Sequence, residues 1–135
     1  MNSTESLGKL VVRLTVGILL LLHGLHKLLD GIGPIEHMLA DHGLPNALAY
    51  GVYLGEILGP ILVILGLFSR IGGLLIVIDM AVAVFLAGMG NLFAFNPATG
   101  GYALELEAFY LFGGLAVMLM GAGSLSLGGR EGRWN

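Results

Sequence analysis

The sequence predicts an all-α fold: a polytopic membrane four-helix bundle, up-down-up-down, with a short interfacial helix between spans 1 and 2. Three observations predict it. Hydrophobic residues make up 56% of the 135 and charged residues only 11%, with a mean hydropathy of +0.91, outside the composition of ordinary soluble domains. The apolar residues gather into stretches close to the ~20 residues that a helix needs to cross a ~30 Å hydrocarbon core. The breaks between them are short and rich in glycine, proline and asparagine, the residues of turns.

The first stretch, Leu10–Leu29, follows a short polar leader. No A-x-A-like cleavage site follows it, so it is expected to remain as a span. The connection Asp30–Pro45 carries Gly31, Gly33 and Pro34 at its start and Gly43 and Pro45 at its end. Pro34 at a first turn and Gly43 at an end frame a short helix, whose Ile35, Met38 and Leu39 share one side and suit a position in the membrane interface. Span 2 is expected over Asn46–Phe68 and span 3 over Arg70–Gly90, separated by a tight break at Ser69–Arg70. Asn91–Tyr102, with its Asn-Pro and Gly-Gly signals, leads into span 4, Ala103–Gly121. The whole chain, 1–135, reads as one transmembrane domain ending in a cytoplasmic tail over 122–135.

Orientation follows from Lys and Arg, which concentrate in short cytoplasmic loops. In this topology Lys9, Arg13, Arg70, Arg130 and Arg133 share one side, and Lys27 alone lies toward the other. Both termini are therefore expected in the cytoplasm.

Helical phase converts scattered polar residues into candidate sites. At 3.6 residues per turn, Arg13, Gly17, Leu20, Gly24 and Lys27 form one stripe down span 1, with His23 beside it and His26 turned away. In span 2, Glu56, Gly59 or Pro60, Val63 and Arg70 share a face; Gly51, Gly55, Gly59 and Gly66 lie on its edge, a small-residue pattern that lets helices approach closely. Span 3 aligns Gly72, Ile76, Asp79 and Ala83, and span 4 aligns Glu105, Phe109, Phe112 and Ala116. A rise of ~1.5 Å per residue places Glu56 and His23 roughly 20 Å, and Lys27 and Glu105 about 25 Å, above the cytoplasmic ends. An outer polar cluster of His23, Lys27, Glu56 and Glu105 is expected, with an inner buried charge pair of Arg13 and Asp79, because ionisable groups within a bilayer turn inward and pair. The plainer alternatives are that Lys27 snorkels to the headgroups, that His23 is a hydrogen-bonded core residue, and that the pairs only fix helix register.

Other chemistries are poorly supported. A net charge of −3 without a basic run excludes a phosphate-neutralising surface, so nucleic acid is not an expected partner. Zero cysteines exclude disulfides, thiol nucleophiles, cysteine-ligated iron–sulfur clusters and covalently attached haem. No metal site is expected: His37, Asp41 and His42 show no partner to fix them, and a bis-histidine haem would need a loop ligand. Ser-His-Asp and phosphate-loop patterns are absent, and the 23 glycines are spread along helices and turns.

The segments "RLTVGILLLLHGLHKLLDG", "HGLPNALAYGVYLGEILGPILVILGLFSRIGGLL", "GGYALELE" and "GAGSLSL" together resemble the DoxX family of small four-span membrane proteins, from about Arg13 to Leu127. Arg13 and Gly17, the H-G-x-x-K of His23, Gly24 and Lys27, Glu56, and the Gly66 to Arg70 ending of the second helix match the family's pattern; its fourth-helix acidic position falls at Glu105 or Glu107. The resemblance implies a prokaryotic cytoplasmic-membrane protein linked to quinone-coupled oxidation, an accessory subunit more than a self-contained enzyme. The expected ligand is a quinone-like or small amphipathic molecule, held by His23, Lys27, Tyr53, Glu56 and Glu105, with no covalently bound cofactor. Expected partners are the lipid bilayer and other membrane or redox subunits, or further copies of the chain. The rival readings are a transport or proton-pathway component and a structural scaffold built on the Gly51–Gly59 seam.

Overall fold

The computed structural model describes residues 2–135 and is all-α, with five α-helices among the described residues. Helix α1 (Ser3–Asp30) starts at a reciprocal cap: the Asn2 side chain accepts from the Glu5 N–H at 2.8 Å and the Glu5 carboxylate from the Asn2 N–H at 3.0 Å. Helix α2 (Gly33–Asp41) has Pro34 in its first turn, where the missing N–H costs nothing. The second rod is a composite of a 3-10 turn (Asn46–Gly51), a π turn (Leu54–Leu58) and α3 (Gly59–Leu65). The third continues from α4 (Ser69–Ala83) through a π turn (Val84–Gly88) and a 3-10 turn (Met89–Asn91). After a loop in which Phe95 and Tyr102 pair, α5 runs over Glu105–Met120.

Helix α1, the rod Asn46–Leu65 and the rod Ser69–Asn91 are long and apolar enough to cross a membrane. With its 16 residues, α5 is shorter, about 24 Å at 1.5 Å per residue. Polarity is arranged inside out. Leu29, Phe93, Phe109, Phe112 and Leu119 are mostly exposed, whereas Arg13 and Glu56 are 1% and 4% exposed. A lipid-facing surface accounts for this inversion, since large apolar side chains there lose nothing by facing outward.

Close helix approach depends on glycine. A Cβ on Gly24 would run into the Glu56 carbonyl, one on Gly59 would lie 3.1 Å from the Gly72 carbonyl, and one on Gly73 2.5 Å from the Gly114 carbonyl. Gly55 likewise faces Asp79. The expected seam is thus formed by Gly55 and Gly59 against α4, inside the chain. Gly51 does not belong to it, because it precedes the π turn and a Cβ there meets nothing.

Two further expectations are corrected. The break after the second rod is Gly66–Phe68: Gly66 is left-handed (φ 72°), so it ends α3, and Ser69 already begins α4. In span 4 the inward stripe is Tyr110, Gly114 and Val117, while Phe109, Phe112 and Leu119 face out. Small residues, which permit backbone contact with α4, take the inside.

The segment after α5 folds back over the bundle end, where the C-termini of α3 and α5 are completed mainly by the side chains of Arg13, Arg70 and Lys9. The last four carbonyls of a helix have no partner within it. In α3, Leu62 O accepts from Gly66 N, Val63 O and Ile64 O accept from Arg13, and Leu65 O accepts from Leu127 N. In α5, Val117 O accepts from Gly121 N, Met118 O and Leu119 O from Arg70, and Met120 O from Lys9. Cations at helix C-termini also oppose the helix dipole. Asn135, 6% exposed, ties the segment down by accepting from Ser69 N and donating to Gly129 O.

Candidate functional site

The site is built where α1 crosses the second rod, and its origin is Pro60. Proline has no N–H for the carbonyl four residues before it, which is that of Glu56. The local helix loosens to a π turn, with Gly59 N–H reaching back to Leu54 O. The released Glu56 carbonyl is directed at Gly24 of α1, where only a glycine leaves room. This contact brings Lys27, about one turn beyond Gly24, onto the Glu56 side chain. Lys27 Nζ donates to Glu56 Oε1 at 2.7 Å and lies 2.7 Å from Oε2 as well. The Glu56 side chain is 5% exposed and that of Lys27 31%, so the carboxylate is fixed and the ammonium reaches it from an opening.

A cavity of about 230 Å³ lies against this pair. Lys27, Glu56 and Asp79 supply its polar wall, and Ile35, Met38 and Leu39 of α2 supply part of its apolar wall. The helix expected to lie in the interface therefore also covers a cavity. The Asp79 side chain packs against Gly55, the residue before Glu56. Asp79 Oδ2 is buried without a donor, and Glu56 Oε2 has charge contact but no directed hydrogen bond. Two carboxyls face one ammonium, so the trio is neutral only when the carboxyls hold one proton between them. A smaller cavity of about 130 Å³ shares Lys27, Glu56 and Ala83 with the first and is also lined by His23, Glu107 and Tyr110. The Lys27–Glu56 pair lines both cavities.

The other candidates fall into place around it. His23 is exposed, and its ring meets the Tyr110 ring edge-on at 5.7 Å. Tyr53 supports the site from behind, its hydroxyl donating to the Lys27 carbonyl at 3.4 Å. Glu105 is exposed beside Tyr102, Phe109 and Phe112, away from Lys27; Glu107 is the acidic residue of α5 that faces the cluster. His26 is exposed and sits 3.1 Å from Asp30. The expected Arg13–Asp79 pair does not form. All of Arg13's hydrogen bonds go to carbonyls at the opposite end of the bundle, to Val63, Ile64, Ala122 and Leu125. Asp79 belongs instead to the Lys27–Glu56 site, which phase alone missed although its inward face was legible. The signal that could have found it is Gly55, whose missing side chain makes room for the Asp79 carboxyl.

Comparison with known proteins places the chain in a family. The family model described as DoxX matches residues 8–89, from α1 to the end of the third rod, and so contains Lys27, Glu56 and Asp79. A Bacillus subtilis (strain 168) protein named "Putative oxidoreductase CatD" is 32% identical over 111 residues, 82% of this chain and 81% of its own. An "Uncharacterized protein" of Haemophilus influenzae (strain ATCC 51907 / DSM 11121 / KW20 / Rd) is 39% identical over 122 residues, 86% of this chain and 84% of its own. No solved structure matches the chain.

Proposed function

This chain belongs to the DoxX family, a multi-pass membrane protein with bacterial relatives, and from that premise we propose that it is an auxiliary subunit of a quinone-linked membrane oxidoreductase system. The observation that carries the reading is the Lys27–Glu56 pair with Asp79 on the wall of an otherwise apolar cavity. At about 230 Å³ the cavity is smaller than the ~300–1,000 Å³ of sites for drug-sized ligands. It suits a single-ring head group, with any hydrocarbon tail leaving between helices. Lys27 donates to a carbonyl or anionic oxygen of the head group, and Glu56 holds Lys27 in place. Asp79, with an acceptor oxygen free, takes up or supplies the proton that a change in charge on the ligand requires. The relative's printed name, an oxidoreductase, supports the redox class. The chain itself has no cysteine, and the electrons pass to and from the ligand through partner subunits.

In this reading α5 is the fourth span, the lipid bilayer surrounds the bundle, and both termini lie in the cytoplasm of a prokaryotic cell. Lys9, Arg70 and Arg130 line one pocket at a single end of the bundle, which supports that orientation.

The test is titration of the purified protein with a short-chain ubiquinone or menaquinone. Loss of a charge-assisted hydrogen bond, ~1.5–3 kcal/mol, weakens binding about tenfold or more in Lys27→Met. Glu56→Gln weakens it less, because a neutral amide still accepts from Lys27. Unchanged affinity in both variants would overturn the proposal. A second reading, a proton-pathway component, is favoured by the two cavities that meet at the Lys27–Glu56 pair. It requires proton flux into liposomes that falls in Glu56→Gln and Asp79→Asn; a redox partner alone gives no such flux.

A further inference from the structure

At the end of the bundle opposite the Lys27 site, a pocket of about 230 Å³ is lined by Lys9, Arg70, Met120, Gly123, Arg130 and Asn135. Its charged side chains are all cationic, and among the described residues no side-chain carboxylate pairs with any of them. Their donors are only partly used. Lys9 gives one of its three N–H groups to Met120 O, and Arg70 gives two of five, to Met118 O and Leu119 O. Arg130 is exposed. A mainly apolar groove adjoins this pocket, sharing Lys9 and Met120 and continuing along α1 past Gly8 and Val12. A Cβ on Gly8 would meet nothing within 4 Å, so the groove is open there. Its one carboxylate, Glu5, is turned to the Asn2 N–H.

We infer that this is a binding site for the phosphate group of an anionic phospholipid, with its glycerol and the start of one acyl chain in the groove that runs past Gly8 to Val12 and Met120. A concave set of unpaired donors recognises a phosphate ester through charge-assisted hydrogen bonds. Basic pockets at the ends of membrane helices hold anionic head groups in this way. A free phosphate ion has the same head-group chemistry but leaves the apolar groove empty; the groove assigns the ligand to the lipid. The bound lipid also braces the segment after α5, since Arg130 comes from that segment and Lys9 from α1.

Lipid enrichment around the full chain in phosphatidylcholine vesicles doped with phosphatidylglycerol tests this. Wild type enriches phosphatidylglycerol, and inorganic phosphate does not displace it. The double variant Lys9→Gln/Arg130→Gln loses about 25-fold of that enrichment, roughly fivefold per cation, the factor equivalent to ~1 kcal/mol each. Gly8→Phe fills the groove and lowers enrichment without lowering the thermal unfolding temperature. Equal uptake of both lipids by wild type, wild-type enrichment in the double variant, or displacement by inorganic phosphate overturns the assignment.

Discussion

Arg13 shows how the inward charges of this bundle are used. It is 1% exposed, and its guanidinium bonds four backbone carbonyls from two segments that are distant in sequence. Lysine carries the charge but lacks the planar fork that reaches several acceptors at once. Arg13→Met strands those carbonyls, each buried acceptor left unpaired costing ~1–3 kcal/mol. We expect the variant to lose at least about 3 kcal/mol of stability in a detergent unfolding titration, with Arg13→Lys recovering only part. Gly24→Ala pushes a methyl into the Glu56 carbonyl and costs about 1–3 kcal/mol, whereas Gly8→Ala, in open space, gains up to about 1 kcal/mol of helix propensity. Equal effects at Gly8 and Gly24 would contradict the close approach of α1 to the second rod. The stripe Arg13, Gly17, Leu20, Gly24, Lys27 was legible because α1 is one unbroken helix. The partner of Arg13 was not, because carbonyls have no signature in the sequence, and a charge-pairing rule looks only for carboxylates.

At the scale of elements, the second rod sets the site. Pro60 frees one carbonyl and the π turn absorbs the slack, which fixes where Glu56 points. Pro60→Ala restores the N–H, and the turn regularises. Loss of a π insertion shifts the residues on its N-terminal side by about 100° around the axis. Lys27 and Glu56 then part while helix content is kept. Circular dichroism should therefore be unchanged while quinone affinity falls as far as in Lys27→Met. Retained affinity would show that the π turn is incidental. The proline and its neighbouring glycines were visible in the sequence, but helical phase counted through them assumed a continuous 3.6-residue period. The face of α5 was misassigned for a different reason. Glu105 with Phe109 and Phe112 makes a consistent stripe, yet in lipid the large apolar side chains turn out and Gly114 turns in. The rule that apolar faces are buried applies to water.

For the whole molecule, the all-α class with its long apolar spans, the short helix after span 1 and the clustering of basic residues at one end were readable from hydropathy and charge. The closed end was not. Residues 122–135 read as a tail, because a polar, glycine-rich segment has no periodicity, and the bonds that hold it come from Arg13, Ser69 and the C-termini of α3 and α5. Topology is open to a direct check, since the natural chain has no cysteine. In intact cells a membrane-impermeant thiol reagent should label Asp41→Cys and leave Arg133→Cys unlabelled until the cells are opened. The reverse pattern would invert the orientation.

The measurement that bears most directly on the proposed role is photolabelling with an azido-quinone, followed by mapping of the adducts. The Lys27–Glu56 cavity predicts adducts on its wall, at Leu39, Val52 and Ala83, that disappear in Lys27→Met. Adducts confined to the lipid-facing Phe109 and Phe112, or unchanged in that variant, would contradict it.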